Sequence, residues 1–218
     1  VKTRWINSAR IENGLPAQAG EDVSKLFGNI AGVIVPIGWG PRGVEGMITG
    51  IRYARENKIP YLGLCYGMQL AVVEYARNVL GLTKANTSEV DPQTPDPVIH
   101  LIPSQKEKME RRAYGGTMRL GRWECKVKEG TIADRAYKDA KAYDKPESRV
   151  VGERHRHRYE FNDLYGKKLE EAGLVLAGRS VVENLVEIVE LPKSTHPFFL
   201  GTQYHPEYRS RPLSPHPI

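Results

Sequence analysis

The sequence is poor in cysteine: its 218 residues include two, Cys65 and Cys125. The two lie in unlike sequence contexts, which argues against a disulfide scaffold. Such cysteine usage fits a protein of a reducing compartment. We therefore expect a cytoplasmic protein.

Other features are missing as well, and each absence removes a class of protein. No apolar run is long enough to cross a membrane, and the chain does not open with a signal peptide. Neither Gly-x-x-x-x-Gly-Lys-Ser/Thr nor Gly-x-Gly-x-x-Gly occurs, so no nucleotide-phosphate loop is predicted. There is no internal repeat and no low-complexity segment. The first residue is Val1 rather than methionine, so we expect a piece of a longer protein.

The composition is that of an ordinary globular protein with a moderate positive excess. Hydrophobic residues make up 40% and charged residues 27%, and the formal net charge is +6. The length fits one domain. The charge raises the question of nucleic-acid binding, but the sequence has no RNA-binding motif. We interpret the charge as a source of solubility, or of attraction for anionic small molecules or a partner domain, and expect no nucleic-acid partner.

Strand and helix patterns alternate through the first third of the chain. Apolar residues predict a buried strand over 31–36, a helix over 44–57 and a strand at 60–64 that leads into another helix. Repeated βα units predict an α/β fold, a flavodoxin-like, mostly parallel sheet with helices on both faces. The site of such a sheet lies at the carboxyl ends of its strands, where residues 37–41 and Cys65 fall. Further predictions are strands over 1–6, 123–127 and 198–204, helices over 21–26 and 131–143, loops over 11–20 and 86–97, and an exposed charged segment over 105–112.

Cys65 stands between Gly63 and Gly67 at the predicted strand-to-helix turn. This is the pattern of a nucleophile elbow with Cys in place of Ser, in which larger flanking side chains would clash. A helix N-terminus favours thiolate over thiol, and the N–H of Tyr66 would point where an oxyanion forms. The competing interpretation is a buried cysteine in an ordinary turn.

His205 and Glu207 follow the last predicted strand and are two residues apart. In an extended segment their side chains would point the same way. Glu207 could then hold His205 in one tautomer while His205 takes the proton of Cys65, as in a nucleophile–base–orienter triad. A lone His-x-Glu pair usually lies on a protein surface without a catalytic role, but together with an elbow cysteine it indicates catalysis.

The segment over 150–161 is unusually rich in arginine and histidine. If it is extended, one face carries Arg154, Arg156 and Arg158, and the other carries His155, His157 and Tyr159. Four interpretations remain open: a nucleic-acid patch, a solvated edge strand, a metal site with two histidines and no third ligand, or an arginine that binds a small carboxylate.

These motifs together resemble a known family. Residues 63–69 with 205–207 resemble the class I glutamine amidotransferases, and residues 42–46, 85–89, 115–121, 153–161 and 210–212 are similar to the glutaminase domain of CTP synthases. The resemblance covers nearly all of residues 1–218. It implies the class I glutamine amidotransferase architecture, with the family's first strand and helix and its N-terminal synthetase domain absent from this chain.

The resemblance also implies roles for individual residues. Cys65 would attack the side-chain amide of L-glutamine, form a glutamyl thioester and release ammonia, with His205 as general base and acid and Glu207 as its orienter. The implied oxyanion hole is Gly38 and Tyr66, and the implied glutamine-binding residues are Gly38, Tyr66, Gln69, Glu89 and Arg158. The charges agree, since Glu89 suits the substrate ammonium and Arg158 its carboxylate. No metal is implied.

Cofactors and partners follow from the same resemblance. Ammonia would pass to a synthetase domain of the same full-length chain, which aminates ATP-activated UTP to CTP. ATP and Mg²⁺ are expected in that domain and not in this chain. GTP is expected as an allosteric activator near residues 115–121, and the full-length enzyme is expected to be a homo-oligomer, a tetramer.

Ile37 is a departure, because the family usually has glycine there. If the position needs a positive φ, a β-branched residue costs about 1–2 kcal/mol and distorts the predicted oxyanion hole. The alternative function is therefore a catalytically impaired homologue that acts as a binding or assembly module.

Overall fold

A computed structural model describes residues 2–12, 23–101 and 118–218 of the chain. The helices are α1 (Ser8–Glu12), α2 (Val23–Phe27), α3 (Val44–Glu56), α4 (Tyr66–Asn78), α5 (Ile132–Asp139) and α6 (Gly166–Glu171). The strands are β1 (Val33–Val35), β2 (Tyr61–Leu64), β3 (Asn86–Thr87), β4 (Pro97–Leu101), β5 (Arg119–Val127), β6 (Val150–His157), β7 (Tyr159–Phe161), β8 (Val175–Ser180), β9 (Val186–Glu190) and β10 (Phe199–Thr202). Within these ranges, no helix is both long and apolar enough to cross a bilayer.

The main sheet has seven strands in the order β1-β2-β10-β9-β8-β5-β6. Strands β1, β2 and β10 are parallel to one another. The remaining neighbours along the sheet, from β10 through β9, β8 and β5 to β6, pair antiparallel. The predicted α/β class is confirmed, but the sheet is mixed rather than mostly parallel. Parallel neighbours need long crossover connections, and α3 supplies one between β1 and β2; a short turn suffices for antiparallel β8 and β9. A second sheet has the order β3-β4-β7.

Helices cover both faces of the main sheet, as predicted, because successive strand residues face opposite sides. One core cluster contains Tyr61, Val189 and Phe199 together with residues of α3, α4 and α6. The other contains Leu62, Ile188 and Leu200 together with residues of α5. Helix α4, which begins just after Cys65, is almost entirely buried. The helix that follows the candidate nucleophile is therefore anchored in the core.

The N-terminal segment differs from the sequence prediction. The strand predicted over 1–6 is wrong for the described residues 2–6, which form no regular structure, and Trp5 is 89% exposed. Helix α1 follows, where residues 11 and 12 were predicted to be loop. The side chain of Asn7 accepts a hydrogen bond from the Ala9 N–H at 3.1 Å, as an N-cap does. The rest of the predicted loop, residues 13–20, lies outside the described residues.

The remaining predictions hold in type and differ mainly at the ends. The strand predicted over 123–127 begins earlier, at Arg119, and the helix predicted over 131–143 ends at Asp139. Lys141 has a φ of 51°, a left-handed conformation that a continuing helix does not permit. The loop over 86–97 contains the short strand β3. The predicted exposed segment over 105–112 lies outside the described residues.

Candidate active site

Cys65 occupies the elbow between β2 and α4 with φ 51° and ψ −94°. This backbone conformation is strained for any residue other than glycine. A Cβ added to Gly67 would overlap the carbonyl oxygen of Val35, and one added to Gly63 would lie 2.7 Å from the backbone of Gly67. The clash predicted at both flanking positions is therefore present. The elbow aims the side chain at the carboxyl end of the sheet.

The last strand of the chain brings a second group of residues to the same end of the sheet. Strands β2 and β10 are parallel neighbours, and the N–H of Cys65 donates to the carbonyl of Thr202 at 2.7 Å. His205 lies three residues further along, and its N–H donates to the Arg154 carbonyl at 2.9 Å. Cys65 is 6% exposed and His205 is 2% exposed. The predicted nucleophile and the predicted base thus lie at adjacent strand ends.

His205 and Glu207 form a close pair, with 2.6 Å between Nδ1 and Oε1. The pair is not made by an extended segment as predicted; a 3₁₀ turn over Pro206–Tyr208 brings the carboxylate back to the ring. Tyr208 stacks on the imidazole with ring centroids 4.5 Å apart. Because a carboxylate accepts, Nδ1 carries the proton. The other nitrogen, Nε2, is buried and has no hydrogen-bond partner among the described residues.

The thiol of Cys65 is not activated in the way that its helix position suggests. Burial raises its pKa to about 12, and the negative charge of Glu207 adds to the rise. The N–H of Tyr66 and the side-chain amide of Gln203 lower the pKa, and Glu89 raises it. The prediction that the helix N-terminus favours thiolate is therefore wrong for the resting site. Desolvation of the buried sulfur outweighs the two donors, the Tyr66 N–H and the Gln203 amide.

Tyr66 connects the elbow to the loop that carries Gly38. Its N–H faces the sulfur of Cys65, and its hydroxyl donates to the Gly40 carbonyl at 2.6 Å. A Cβ on Gly38 would lie 2.9 Å from the Tyr66 ring, so glycine permits this close approach. The structure thus packs Gly38 against the ring of Tyr66, the residue whose N–H faces the sulfur. Their role as an oxyanion hole stays a prediction.

Ile37 does not have the positive φ that would strain a β-branched residue at this position. Among the described non-glycine residues with positive φ, Ile37 is absent. Its side chain is 41% exposed rather than forced into the site. The strain argument against the neighbouring Gly38 therefore has no basis in this backbone.

Gln69 is buried on the first turn of α4, and its hydrogen bonds determine what it can offer a ligand. Its Nε2 donates to the Tyr159 carbonyl at 2.8 Å and to Oε1 of Gln203 at 3.2 Å. These two bonds use both amide hydrogens. The side-chain carbonyl oxygen remains, so Gln69 can only accept a hydrogen bond from a bound molecule.

Glu89 and Arg158 provide opposite charges near the same loop. Glu89 is half-buried, and its Oε1 accepts from the Gly40 N–H at 3.1 Å. Burial raises the pKa of Glu89, while the Gly40 N–H and the positive charge of Arg158 lower it. Arg158 lies where β6 ends and β7 begins. A molecule with an ammonium and a carboxylate would find a partner for each charge.

Comparisons with known proteins agree with this geometry. The sequence profile described as glutamine amidotransferase class-I matches residues 10–218. A solved structure described as Trypanosoma brucei CTPS, glutaminase domain with bound acivicin, is 33% identical with a TM-score of 0.83, and the match covers 98% of this chain and 76% of that chain. The chain belongs to the class I glutamine amidotransferases, as a CTP synthase glutaminase domain.

Curated relatives of this glutaminase domain are longer proteins. The CTP synthase of Caldanaerobacter subterraneus subsp. tengcongensis is 52% identical over 218 residues, which are 100% of this chain and 37% of that protein. The CTP synthase of Clostridium acetobutylicum is 50% identical over the same length, with the same two shares. The chain therefore spans a little over a third of the curated relatives it matches.

The arginine and histidine segment of the glutaminase domain alternates as predicted. Arg154 and Arg156 are exposed, while His155 and His157 are buried and bonded to each other, with 3.0 Å between Nδ1 and Nε2. Burial lowers the pKa of His157 well below its usual value. In the part of the chain that the structure describes, no group of three or more potential ligands could hold a metal ion.

Residues 115–121, where a GTP site was expected, are described only from Met118 onward. Arg119 is 4% exposed. Its Nη1 donates to Glu187 at 2.7 Å, and its guanidinium lies 4.7 Å from the Trp123 ring centroid. This cation is engaged inside the domain rather than presented to an anionic ligand. The GTP site stays a prediction.

Sequence reasoning missed one residue of the site, Gln203. It is fully buried, and its Nε2 lies 3.5 Å from Sγ of Cys65. Its signal in the sequence is an amide near the end of the largely apolar strand predicted over 198–204, two residues before His205. An amide at such a position needs a partner, because burying one without a hydrogen bond is costly.

Proposed function

We propose that this chain hydrolyses L-glutamine to glutamate and ammonia through a glutamyl thioester on Cys65. The observation that carries the proposal is the pairing of parallel strands β2 and β10. It sets the elbow cysteine beside the strand end that leads to His205 and Glu207. The family of the chain supports the same reaction class.

The proton moves first in this mechanism. The unpartnered Nε2 of His205 takes the proton of the Cys65 thiol while Glu207 balances the imidazolium through Nδ1. The sulfur then attacks the amide carbon of glutamine, and the resulting oxyanion accepts hydrogen bonds from the N–H groups of Tyr66 and Gly38. Collapse of this intermediate breaks the C–N bond, and His205 returns its proton to the leaving ammonia.

The second half of the cycle releases glutamate. A water molecule gives a proton to Nε2 of His205 and attacks the thioester carbon. The C–S bond breaks, the sulfur of Cys65 recovers a proton from His205, and glutamate leaves. A high resting pKa of the thiol is compatible with this sequence, because the proton is transferred to a neighbouring base when the substrate is bound and need not be lost to solvent beforehand.

Glu89 and Arg158 select the substrate in this proposal. Glu89 binds the α-ammonium of glutamine, and Arg158 binds its α-carboxylate. Gln69 contributes its free carbonyl oxygen as an acceptor. Together the three groups distinguish a free amino acid from an amide within a polypeptide, which lacks both charges.

We propose further that the ammonia serves a synthetase region of a longer protein, as the names of the curated relatives suggest. That region would hold ATP and Mg²⁺ and aminate UTP to CTP, and the whole protein would be a homo-oligomer, a tetramer. GTP would activate the hydrolysis of glutamine.

A glutaminase assay tests the proposal, with Cys65→Ala and Cys125→Ala as a matched pair. We expect glutamate formation from L-glutamine that Cys65→Ala abolishes and Cys125→Ala retains, and stimulation on addition of GTP. The same protein mixed with the synthetase region of the Caldanaerobacter relative should form CTP from UTP, ATP and glutamine. No glutamate in any of these assays would reject glutamine hydrolysis.

The alternative of an impaired homologue rested on Ile37. The φ of Ile37 is not positive and its side chain is partly exposed, so no observation now favours the impaired homologue. The glutaminase assay separates the two functions directly.

A further inference from the structure

Gln203 lies between the candidate nucleophile and the candidate substrate residue Gln69. Its Nε2 is 3.5 Å from Sγ of Cys65, and its Oε1 accepts from Nε2 of Gln69 at 3.2 Å. All three side chains are buried. The mechanism described above makes no use of this amide.

The direction in which the Gln203 amide points is determined by a backbone carbonyl. The Tyr159 carbonyl can only accept, so the Gln69 group that faces it at 2.8 Å must be the NH₂. The second hydrogen of that NH₂ faces Gln203, whose side-chain oxygen must therefore be the acceptor. Rotating the Gln203 amide by half a turn would set two NH₂ groups against each other. The end of Gln203 that faces Cys65 is therefore the donor.

A histidine strengthens this assignment. Nδ1 of His157 also lies 3.0 Å from the Tyr159 carbonyl, and it must donate for the same reason. The carbonyl thus receives two donors, one for each lone pair, and both are buried. Turning the Gln69 amide over would set its oxygen against the Tyr159 carbonyl oxygen, and two acceptors cannot form a hydrogen bond.

We propose that Gln203 is a further catalytic residue, whose N–H donor stabilises the Cys65 thiolate that forms when His205 takes the proton. The inference deepens the proposed function and rests on it for its role in glutamine hydrolysis. The proposed contact itself involves only the Gln203 amide and the sulfur of Cys65, so it can be tested without glutamine. A donor that is fixed before the reaction stabilises the new charge without having to reorganise.

The reactivity of Cys65 toward iodoacetamide tests this without glutamine. Gln203→Met keeps the length of the side chain and removes the donor, and Gln93→Met makes the same change at an exposed position. At pH 8 we expect alkylation of Cys65, followed by peptide mass spectrometry, to slow by about fivefold to tenfold in Gln203→Met. It should be unchanged in Gln93→Met, and glutaminase kcat should fall with little change in KM.

The direction of the effect separates a chemical role from a packing role. Loosened packing would expose a buried thiol and speed its alkylation, whereas loss of the donor slows it. Gln203→Glu provides a second variant; it places an acceptor against the sulfur and should slow alkylation further. Alkylation that is unchanged or faster in both variants would overturn the proposal. If the slowing occurs but wild-type protein hydrolyses no glutamine, the proposed function fails while the thiolate contact stands.

A measurement on the wild-type protein covers the case in which the variants do not fold. With ¹⁵N in the glutamine side-chain amides, alkylation of Cys65 should shift the NH₂ resonances of Gln203 and leave those of Gln93 in place. Unshifted Gln203 resonances would contradict the contact with sulfur.

Discussion

Cys65 and Thr202 are joined by a backbone hydrogen bond of 2.7 Å between strand ends that lie 137 residues apart in the chain. The same carboxyl end of the sheet carries the elbow cysteine on one strand and leads to the His205–Glu207 pair on the other. The β2–β10 pairing continues back to Tyr61 and Phe199, whose rings stack in the core. The relative position of nucleophile and base is therefore held by the main sheet rather than by a mobile loop.

A diazoketone analogue of glutamine should label Cys65 and leave Cys125 unmodified. Cys65 lies on the elbow, while Cys125 is fully buried in β5, where it packs in an apolar cluster and contacts the carboxylate of Glu187. Peptide mapping by mass spectrometry should find one adduct per chain. Adduct formation that persists in Cys65→Ala would contradict the assignment of the nucleophile.

Substitutions of His205 and Glu207 should reduce glutaminase kcat unequally. His205→Ala removes the proton acceptor and should lower kcat by about 1,000-fold or more. Glu207→Gln keeps a hydrogen-bonding group at the position that now lies 2.6 Å from Nδ1, and should lower kcat by a smaller factor than His205→Ala does. Glu147→Gln, at an exposed position, is the matched control. Small and equal effects at both positions would indicate a structural pair.

Alkylation of Cys65 in the absence of glutamine should rise steadily with pH. Because burial raises the pKa of this thiol to about 12, the thiolate fraction increases about tenfold per pH unit across the range from about pH 7 to 10. The logarithm of the iodoacetamide rate should then have a slope near one over this range. A plateau at or below pH 9 would show that the resting thiol is activated.

Glu89→Gln and Arg158→Met should act mainly on glutamine binding. Each removes one charge that the substrate needs, and a charge-assisted contact contributes about 1.5–3 kcal/mol. We expect kcat/KM to fall about 10- to 100-fold, mostly through KM, with Glu147→Gln unaffected. A loss confined to kcat would assign the two residues to the chemical step instead.

Ile37→Gly should leave kcat and KM within about twofold of the wild-type values. The backbone at Ile37 is not in the left-handed region, so glycine relieves no strain there. A large gain in kcat would indicate that the loop changes conformation when glutamine binds.

Several parts of the site were predictable from local sequence. The elbow follows from Gly63, Cys65 and Gly67, because the close approach of backbone at both flanking positions admits no Cβ. The pairing of His205 with Glu207 was predicted, although a 3₁₀ turn makes it instead of an extended chain. The opposite faces of the arginines and histidines over 154–157 were also predicted, since they depend on strand periodicity, whereas the complete burial of residues 150–153 was not.

The elbow, the helix that follows it and the His205–Glu207 pair could each be predicted from a short stretch of sequence, since each depends on residues close together in the chain. The mixed sheet, the position of Gln203 and the raised pKa of Cys65 emerged from the folded chain alone. Strand direction depends on which distant segments pair, and the pKa of a thiol depends on everything that displaces water from it. Neither the direction of a strand nor the pKa of Cys65 can therefore be inferred from the residues that flank Cys65 in the sequence.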